Sequence, residues 1–123
     1  MRSRLAGAVN ALRRPRQPAA PDKWLSDRLY RILYRSDGAV EGDLPAMVAL
    51  PDSVDAVVDA VNTARARGLP VVARGAGTGL SGGAAPVGDA AVISLMQLNE
   101  VLEINADDET AWVEPGVRNL ELS

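Results

Sequence analysis

Apolar residues recur at helical spacing in two stretches of the chain. Between Pro51 and Gly68, one predicted helix face carries Val54, Val57, Val58, Val61 and Ala64, the repeat of an amphipathic helix. Asp52 or Ser53 can cap the start of this helix, and Gly68 can supply the left-handed residue that ends it. The earlier stretch also places apolar residues at helical spacing, which predicts an N-terminal helix over residues 22–37.

Short apolar runs predict the strands. "AMVAL" (46–50) lies between two prolines, "LPVVA" (69–73) follows the long helix, and "AAVISL" (90–95) comes later. A strand, a helix and a second strand in succession predict a right-handed crossover and a parallel pair of strands. "VLEIN" and "TAWVEP" alternate in polarity around the turn "ADDE", which predicts an antiparallel hairpin and a solvated turn. The predicted fold class is therefore α+β.

The last residues, "GVRNLELS", begin a helix that stops after about one turn, too short to bury much apolar surface. We therefore expect the chain to be the front part of a longer protein. The hairpin's Trp112 is expected in the core, since large aromatic side chains are usually buried.

The amino-acid composition excludes several kinds of functional site. The chain has no cysteine and no histidine, which excludes disulfides, thiolate metal sites and imidazole general bases. We predict no metal site. The net charge of −3 hides a division: residues 1–35 carry nine basic and two acidic side chains, and residues 36–123 carry four and fourteen. The acidic body argues against a nucleic-acid partner. No apolar run approaches the ~20 residues of a transmembrane segment.

The first 21 residues form a basic segment, with five arginines and no acidic residue before Asp22. Three interpretations stay open: a flexible solvated arm, a mitochondrial transit peptide, or a short amphipathic arm for an anionic surface. Pro15 and Pro18 would end any helix early, which favours the flexible arm. The expected location is cytoplasmic, peripheral at a membrane, or mitochondrial if the segment is a transit peptide.

The stretch "ARGAGTGLSGGAAP" (73–86), the glycine loop, holds five glycines. Each costs roughly 0.5–1 kcal/mol relative to alanine in regular structure, so the backbone must need unusual angles or a close approach. Crowded backbone N–H groups form a concavity that binds anions. With Arg74 as the only charged side chain in the loop, we expect main-chain amides, Thr78 and Ser81 to hold a phosphate or diphosphate.

Known glycine-loop motifs narrow the ligand. A Walker A loop needs a lysine that is absent here. Gly77, Gly79 and Gly82 form a G-x-G-x-x-G pattern after a predicted strand, but Gly83 and Pro86 prevent the helix that a dinucleotide fold requires. A third class is a loop that crosses a flavin cofactor with no helix after it, and a purely structural loop is a further alternative.

With "EPGVRN" (114–119) further on, the loop resembles the FAD-binding domain of the vanillyl-alcohol oxidase and p-cresol methylhydroxylase (PCMH) family of FAD-linked oxidases. The chain is most similar to members such as the flavin subunit of glycolate oxidase and the D-lactate and D-2-hydroxyglutarate dehydrogenases. "LYRSDGAVEGDLPAMVALP" (33–51) resembles the family's opening segment. The resemblance covers roughly residues 30–123. It implies the first, truncated part of a PCMH-type domain over residues 38–123, after the arm and the helix.

The resemblance also implies the cofactor and its ligands. The expected cofactor is FAD, and the residues implied to line it are Arg74, Gly75, Ala76, Gly77, Thr78, Gly79, Leu80, Ser81, Gly82, Gly83, Pro115, Gly116 and Val117. Two alternatives stay open: Arg74 pairs with a nearby carboxylate, or the turn at Pro115–Gly116 is structural only. Some relatives attach flavin through a loop histidine. Thr78 stands at that position here, so we expect FAD to be bound non-covalently.

The implied reaction is the oxidation of a small 2-hydroxy acid to the 2-oxo acid, with hydride transfer to the flavin. The substrate site and the general base are implied to lie outside this chain, so we assign no catalytic residue and expect the fragment alone to be inactive. The implied electron acceptor is oxygen, a quinone or a partner subunit. The alternative is a standalone module that binds another phosphate or nucleotide without redox activity.

Overall fold

The computed structural model describes residues 24–122, so the arm predicted over residues 1–21 lies outside them. The strands are β1 (Trp24–Leu25), β2 (Met47–Ala49), β3 (Val71–Arg74), β4 (Ala91–Ser94), β5 (Val101–Asn105) and β6 (Thr110–Val113). The helices are α1 (Arg28–Ile32), α2 (Val54–Ala66) and a 3₁₀ turn at Asn119–Glu121. The α+β class predicted from the sequence is confirmed.

Four strands form one sheet in the order β1-β2-β4-β3. The central strand β4 pairs in parallel with β2, where Met47 meets Ala91, and with β3, where Val71 meets the same residue. The strand–helix–strand unit is present, but the prediction that its two strands pair directly is wrong, because β4 lies between them. Every residue of β4 is buried, so this strand takes the centre of the sheet. The order of strands depends on such burial, which sequence order does not encode.

Helix α2 packs on the sheet through alanines. Ala56, Ala60 and Ala64 are buried; Ala64 contacts Met47 and Ala91 in the core. The predicted valine face is wrong, since Val54 and Val58 are 67% and 52% exposed. Small side chains let the helix axis approach the sheet closely. The sequence prediction ranks residues by hydrophobicity, which favours valine over alanine for the buried face, and so selects the wrong face.

The ends of α2 follow the sequence prediction. The Ser53 hydroxyl accepts a hydrogen bond from the Ala56 amide at 3.2 Å, and Gly68 has a φ of +67° just beyond the helix. These are the N-cap and the left-handed stop expected from the residue types.

The helix predicted over residues 22–37 is shorter than expected. Only Arg28–Ile32 is helical, and Asp27 caps it by accepting from the Leu29 amide at 2.8 Å. The preceding pair, Trp24–Leu25, joins the sheet as β1, antiparallel to β2. The free edge of β2 offers backbone partners to β1, and this tertiary pairing overrides the helical periodicity.

Strands β5 and β6 form the predicted antiparallel hairpin. Its turn is closed by the Asn105 side chain, which accepts hydrogen bonds from the amides of Asp107 and Asp108 at 3.1 and 3.2 Å. The expectation that Trp112 is a core residue is wrong, because this side chain is 72% exposed. A two-stranded ribbon has only one neighbour per strand, so its outer face receives no cover from the main sheet. Across residues 24–122, no helix has the length and apolar character to cross a membrane.

Candidate functional site

The carboxyl ends of the parallel strands meet at one edge of the main sheet, where a cavity of about 390 Å³ opens. In open α/β sheets this edge is the usual place for a ligand. The residues that line the cavity come from four segments of the chain: Leu33, Tyr34, Leu50, Arg74, Gly75, Ala76, Ser94, Met96 and Gln97. The glycine loop starts at this cavity, because it leaves the sheet directly after β3.

The glycine loop leaves a run of its backbone amides unpaired. Within residues 24–122, the N–H groups from Gly75 to Ser81 donate no hydrogen bond to a protein acceptor. Gly77 has a φ of +72°, which turns the chain in a way that L-residues with side chains rarely adopt. Successive free amides in a turning loop provide the donors that an anion needs.

Arg74 is a buried cation beside these amides. Its side chain is 9% exposed, its Nη1 donates to the carbonyl oxygen of Ser36 at 2.6 Å, and its Cζ lies 5.6 Å from the centre of the Tyr34 ring. In the described part of the chain, the ion pairs join Arg35 to Glu41 and Arg118 to Glu121, and none involves Arg74. The alternative of a carboxylate partner is represented here only by Asp37, whose pKa the Arg74 charge helps to lower without a direct ion pair. Burying a guanidinium is costly, and the charge of Asp37 offsets that cost only from a distance, so a bound anion would stabilise Arg74 further.

A second stretch, residues 34–43, lies behind the glycine loop, and we call it the supporting segment. The Gly38 amide donates to the Gly79 carbonyl at 2.9 Å, and the Asp43 amide donates to the Pro86 carbonyl at 2.8 Å. The loop is thus fixed along its length by backbone contacts on one side.

Two titratable groups of the supporting segment face the loop. Hydrogen bonds from the amides of Ala39 and Val40, with further contributions from the Gly82 amide and the Arg74 charge, lower the pKa of Asp37. Burial raises the pKa of Tyr34, and the Arg74 charge opposes this only in part. At neutral pH the carboxylate of Asp37 is charged and the phenol of Tyr34 is neutral. The region behind the loop therefore holds a fixed negative charge, and the cavity itself holds the positive charge of Arg74.

Only some of the predicted cofactor-binding residues of the glycine loop line the cavity. Arg74, Gly75 and Ala76 line the cavity, whereas the loop from Gly77 to Gly83 continues beyond it, mostly exposed. Their role in cofactor binding stays a prediction.

The second predicted stretch, residues 115–117, packs against the turn that follows β4. The buried Gly116 donates its amide to the Leu98 carbonyl at 2.7 Å, and the Val117 amide donates to Glu114 at 3.1 Å. A Cβ at Gly116 would lie 2.8 Å from the carbonyl oxygen of Met96. These amides are occupied, so the visible role of the turn is to support the cavity wall near Met96. Cofactor contact by residues 115–117 stays a prediction.

Sequence reasoning missed several residues of the cavity wall, among them Tyr34, Leu50, Ser94 and Gln97. Leu50 follows β2 and Ser94 ends β4, so their place at the carboxyl ends of parallel strands was a usable signal. The Gln97 Oε1 atom is buried and accepts no hydrogen bond from any of residues 24–122. Tyr34 lies in the opening segment, residues 33–51, that the sequence singles out, whereas no sequence motif marks Gln97.

Residues 45–123 match the family model described as an FAD binding domain. The chain therefore belongs to the FAD binding domain family. It is 40% identical over 93 residues to the glycolate oxidase subunit GlcD of Escherichia coli (strain K12), which covers 75% of this chain and 19% of that protein. It is 44% identical over 73 residues to D-2-hydroxyglutarate dehydrogenase of Xanthomonas citri pv. viticola, covering 59% of this chain and 16% of the relative.

The fold is also shared with a solved structure. p-Cresol methylhydroxylase with substrate bound superposes with a TM-score of 0.70 at 23% identity, over 99% of this chain and 24% of that one. The resemblance to FAD-linked oxidases of the PCMH type, and the fold that it implied, are confirmed. The chain spans about a fifth of the length of these proteins.

Proposed function

We propose that this chain holds the diphosphate of FAD in a protein that oxidises a small 2-hydroxy acid. The observation that carries the proposal is a run of amides from Gly75 to Ser81 that donate to no acceptor within residues 24–122, beside the buried guanidinium of Arg74. The residues fit a dianionic ligand, since amides supply directed donors and the guanidinium supplies a full charge.

The electrostatics of the chain make this arrangement necessary. Residues 36–123 carry four basic and fourteen acidic side chains, so the surrounding field repels an anion. Binding must then depend on short-range donors at the loop rather than on long-range attraction. Arg74 is the only cation among residues 73–86, which gives it the largest single contribution of any side chain there.

FAD, when bound, supplies the group that accepts a hydride from the substrate. The residues of this chain bind and orient the diphosphate end of the cofactor, and the neutral Tyr34 and the Gln97 carboxamide line the adjacent wall. The class of substrate is proposed from relatives named for glycolate and D-2-hydroxyglutarate. We place the substrate site and the proton-accepting group outside this chain, and none of its residues is proposed as catalytic.

The test of the cofactor is its identity and its linkage. The full-length protein is purified, precipitated with acid, and the supernatant is resolved by chromatography. We expect FAD in the supernatant, because no loop histidine is present for covalent attachment. FMN alone, flavin retained in the pellet, or a colourless protein that FAD does not reconstitute would contradict the proposal.

The test of the reaction is a panel of substrates with an artificial electron acceptor. Glycolate, D-lactate and D-2-hydroxyglutarate are compared with their L-isomers, where these exist, and with 2-oxo acids as blanks. We expect dye reduction with at least one 2-hydroxy acid. A protein that binds FAD but reduces the dye with none of these compounds would restrict the conclusion to FAD binding.

A further inference from the structure

The supporting segment runs beside the glycine loop, and successive residues of the one contact successive residues of the other. The residue halfway along this contact is Gly38. Ser36 accepts from Arg74 at the start of the loop, Gly38 bonds Gly79 in the middle, and the Val40 side chain lies beside Gly82 near the end. We propose that Gly38 is a positioning residue, which sets the direction of the loop amides without touching the bound anion. This inference rests on the proposed role of the loop in binding the FAD diphosphate.

The orientation of two peptide bonds in the loop determines where their amides point. A Cβ placed on Gly38 would lie 2.9 Å from the carbonyl oxygen of Gly79 and 3.0 Å from that of Thr78, so both carbonyls approach the supporting segment. In a planar trans peptide the N–H points opposite to the C=O, and the chain has no cis peptide among residues 24–122. The amides of Gly79 and Leu80 therefore point away from Gly38, towards the side of the loop where no acceptor from residues 24–122 meets them.

The position accepts no larger residue without moving the loop. The contact with the Gly79 oxygen is shorter than real Cβ atoms essentially ever make, and the contact with the Thr78 oxygen would require that carbonyl to shift by a few tenths of an ångström. Both atoms belong to the backbone, so neither can turn aside as a side chain would. The Gly38 amide also donates to the Gly79 carbonyl at 2.9 Å, so the segment and the loop are held together as well as close. An alanine at this position would push the two carbonyls outward and rotate the amides of the same peptide bonds. Gly38 itself is exposed and contributes nothing to the core.

The experiment compares ligands with and without the flavin. The full-length protein is stripped of flavin, and the affinities for FAD and for ADP, which carries a diphosphate but no flavin, are measured by fluorescence titration and competition. We expect Gly38→Ala to weaken both ligands by the same factor, about tenfold or more. Ala39→Ser, which adds one heavy atom at an exposed neighbouring position, should leave both affinities unchanged. The unfolding temperature of the flavin-free protein should be similar in all three.

The outcomes separate this inference from the proposed function. A wild-type protein that binds neither FAD nor ADP overturns the proposed function, and this inference with it. A wild-type protein that binds FAD, with Gly38→Ala binding both ligands equally well, overturns the positioning role alone. Weakened FAD with unchanged ADP also overturns it, since the diphosphate is common to both. If Gly38→Ala does not fold, Val40→Ala decides: we expect about threefold weaker binding of both ligands, and unchanged affinities there would overturn the inference.

Discussion

Arg74 donates from its Nη1 to the carbonyl oxygen of Ser36 at 2.6 Å, and this bond joins the end of β3 to the supporting segment. The same guanidinium lies against Gly77, where a Cβ would collide with it. One side chain therefore connects the supporting segment, the first turn of the glycine loop and the cavity. The arrangement explains why a charged residue is buried in an otherwise small and apolar loop.

Replacing Arg74 should weaken cofactor binding, and the loss should be larger when the charge is removed than when only the forked donors are removed. Arg74→Met keeps much of the length but removes the cation, and we expect the FAD dissociation constant to rise at least about tenfold, with a shallower dependence on NaCl. Arg74→Lys keeps the charge but not the forked donors, so its affinity should be intermediate. Titration of flavin-free protein with FAD at several salt concentrations measures both effects. Equal affinities in the wild type and Arg74→Met would contradict the assignment.

Gly77→Val should abolish flavin retention. The φ of +72° strains any β-branched residue, and the new side chain would displace Arg74. Gly68→Val is the matched control, because Gly68 has a φ of +67° but no atom lies within 4 Å of the position that its Cβ would take. Gly68→Val should lose about 1–2 kcal/mol of stability and Gly77→Val at least as much, because it also collides with Arg74; only Gly77→Val should lose FAD. Flavin content per folded protein distinguishes them, and equal flavin content would mean that the loop does not form the cradle.

Ser53→Ala should lower stability without changing the site. The Ser53 hydroxyl caps α2 at 3.2 Å from the Ala56 amide, and loss of such a cap costs about 1 kcal/mol. Ser53→Asp retains an acceptor and should stay close to the wild type. Urea unfolding gives the free energies, and FAD titration should show no change in either variant. A Ser53→Ala protein as stable as the wild type would show that the cap is not formed in solution.

Asp37→Asn should remove a pH-dependent part of the stability. The folded-state pKa of Asp37 is lowered from its ordinary value of 3.8 by amides of its own turn and of the loop. The ionised carboxylate therefore stabilises the fold above that value, and this contribution is lost as the pH falls through the lower, folded-state pKa. The difference in unfolding free energy between wild type and Asp37→Asn should be largest near about pH 6 and should shrink towards about pH 2. A difference that stays constant over this range would refute the assignment.

The sequence predicted the local features of the fold well. The strands β2 to β6, with the hairpin among them, the cap at Ser53 and the stop at Gly68 follow from residue types and spacings that act over a few positions. The glycine loop and its resemblance to FAD-linked oxidases were also visible, because five glycines in one short stretch have few structural explanations.

What the sequence did not determine depends on neighbours that are distant along the chain. The place of β4 between β2 and β3, the alanine face of α2 and the pairing of Trp24 with the sheet arise from competition for burial and for backbone partners. The cavity wall shows the same effect: Tyr34 and Gln97 are 63 positions apart in the chain, and only the tertiary fold brings the segment after α1 and the segment after β4 to one cavity. The residue types of the glycine loop are visible in the sequence, whereas tertiary packing alone determines that the supporting segment contacts the loop and that the cavity wall lies next to it.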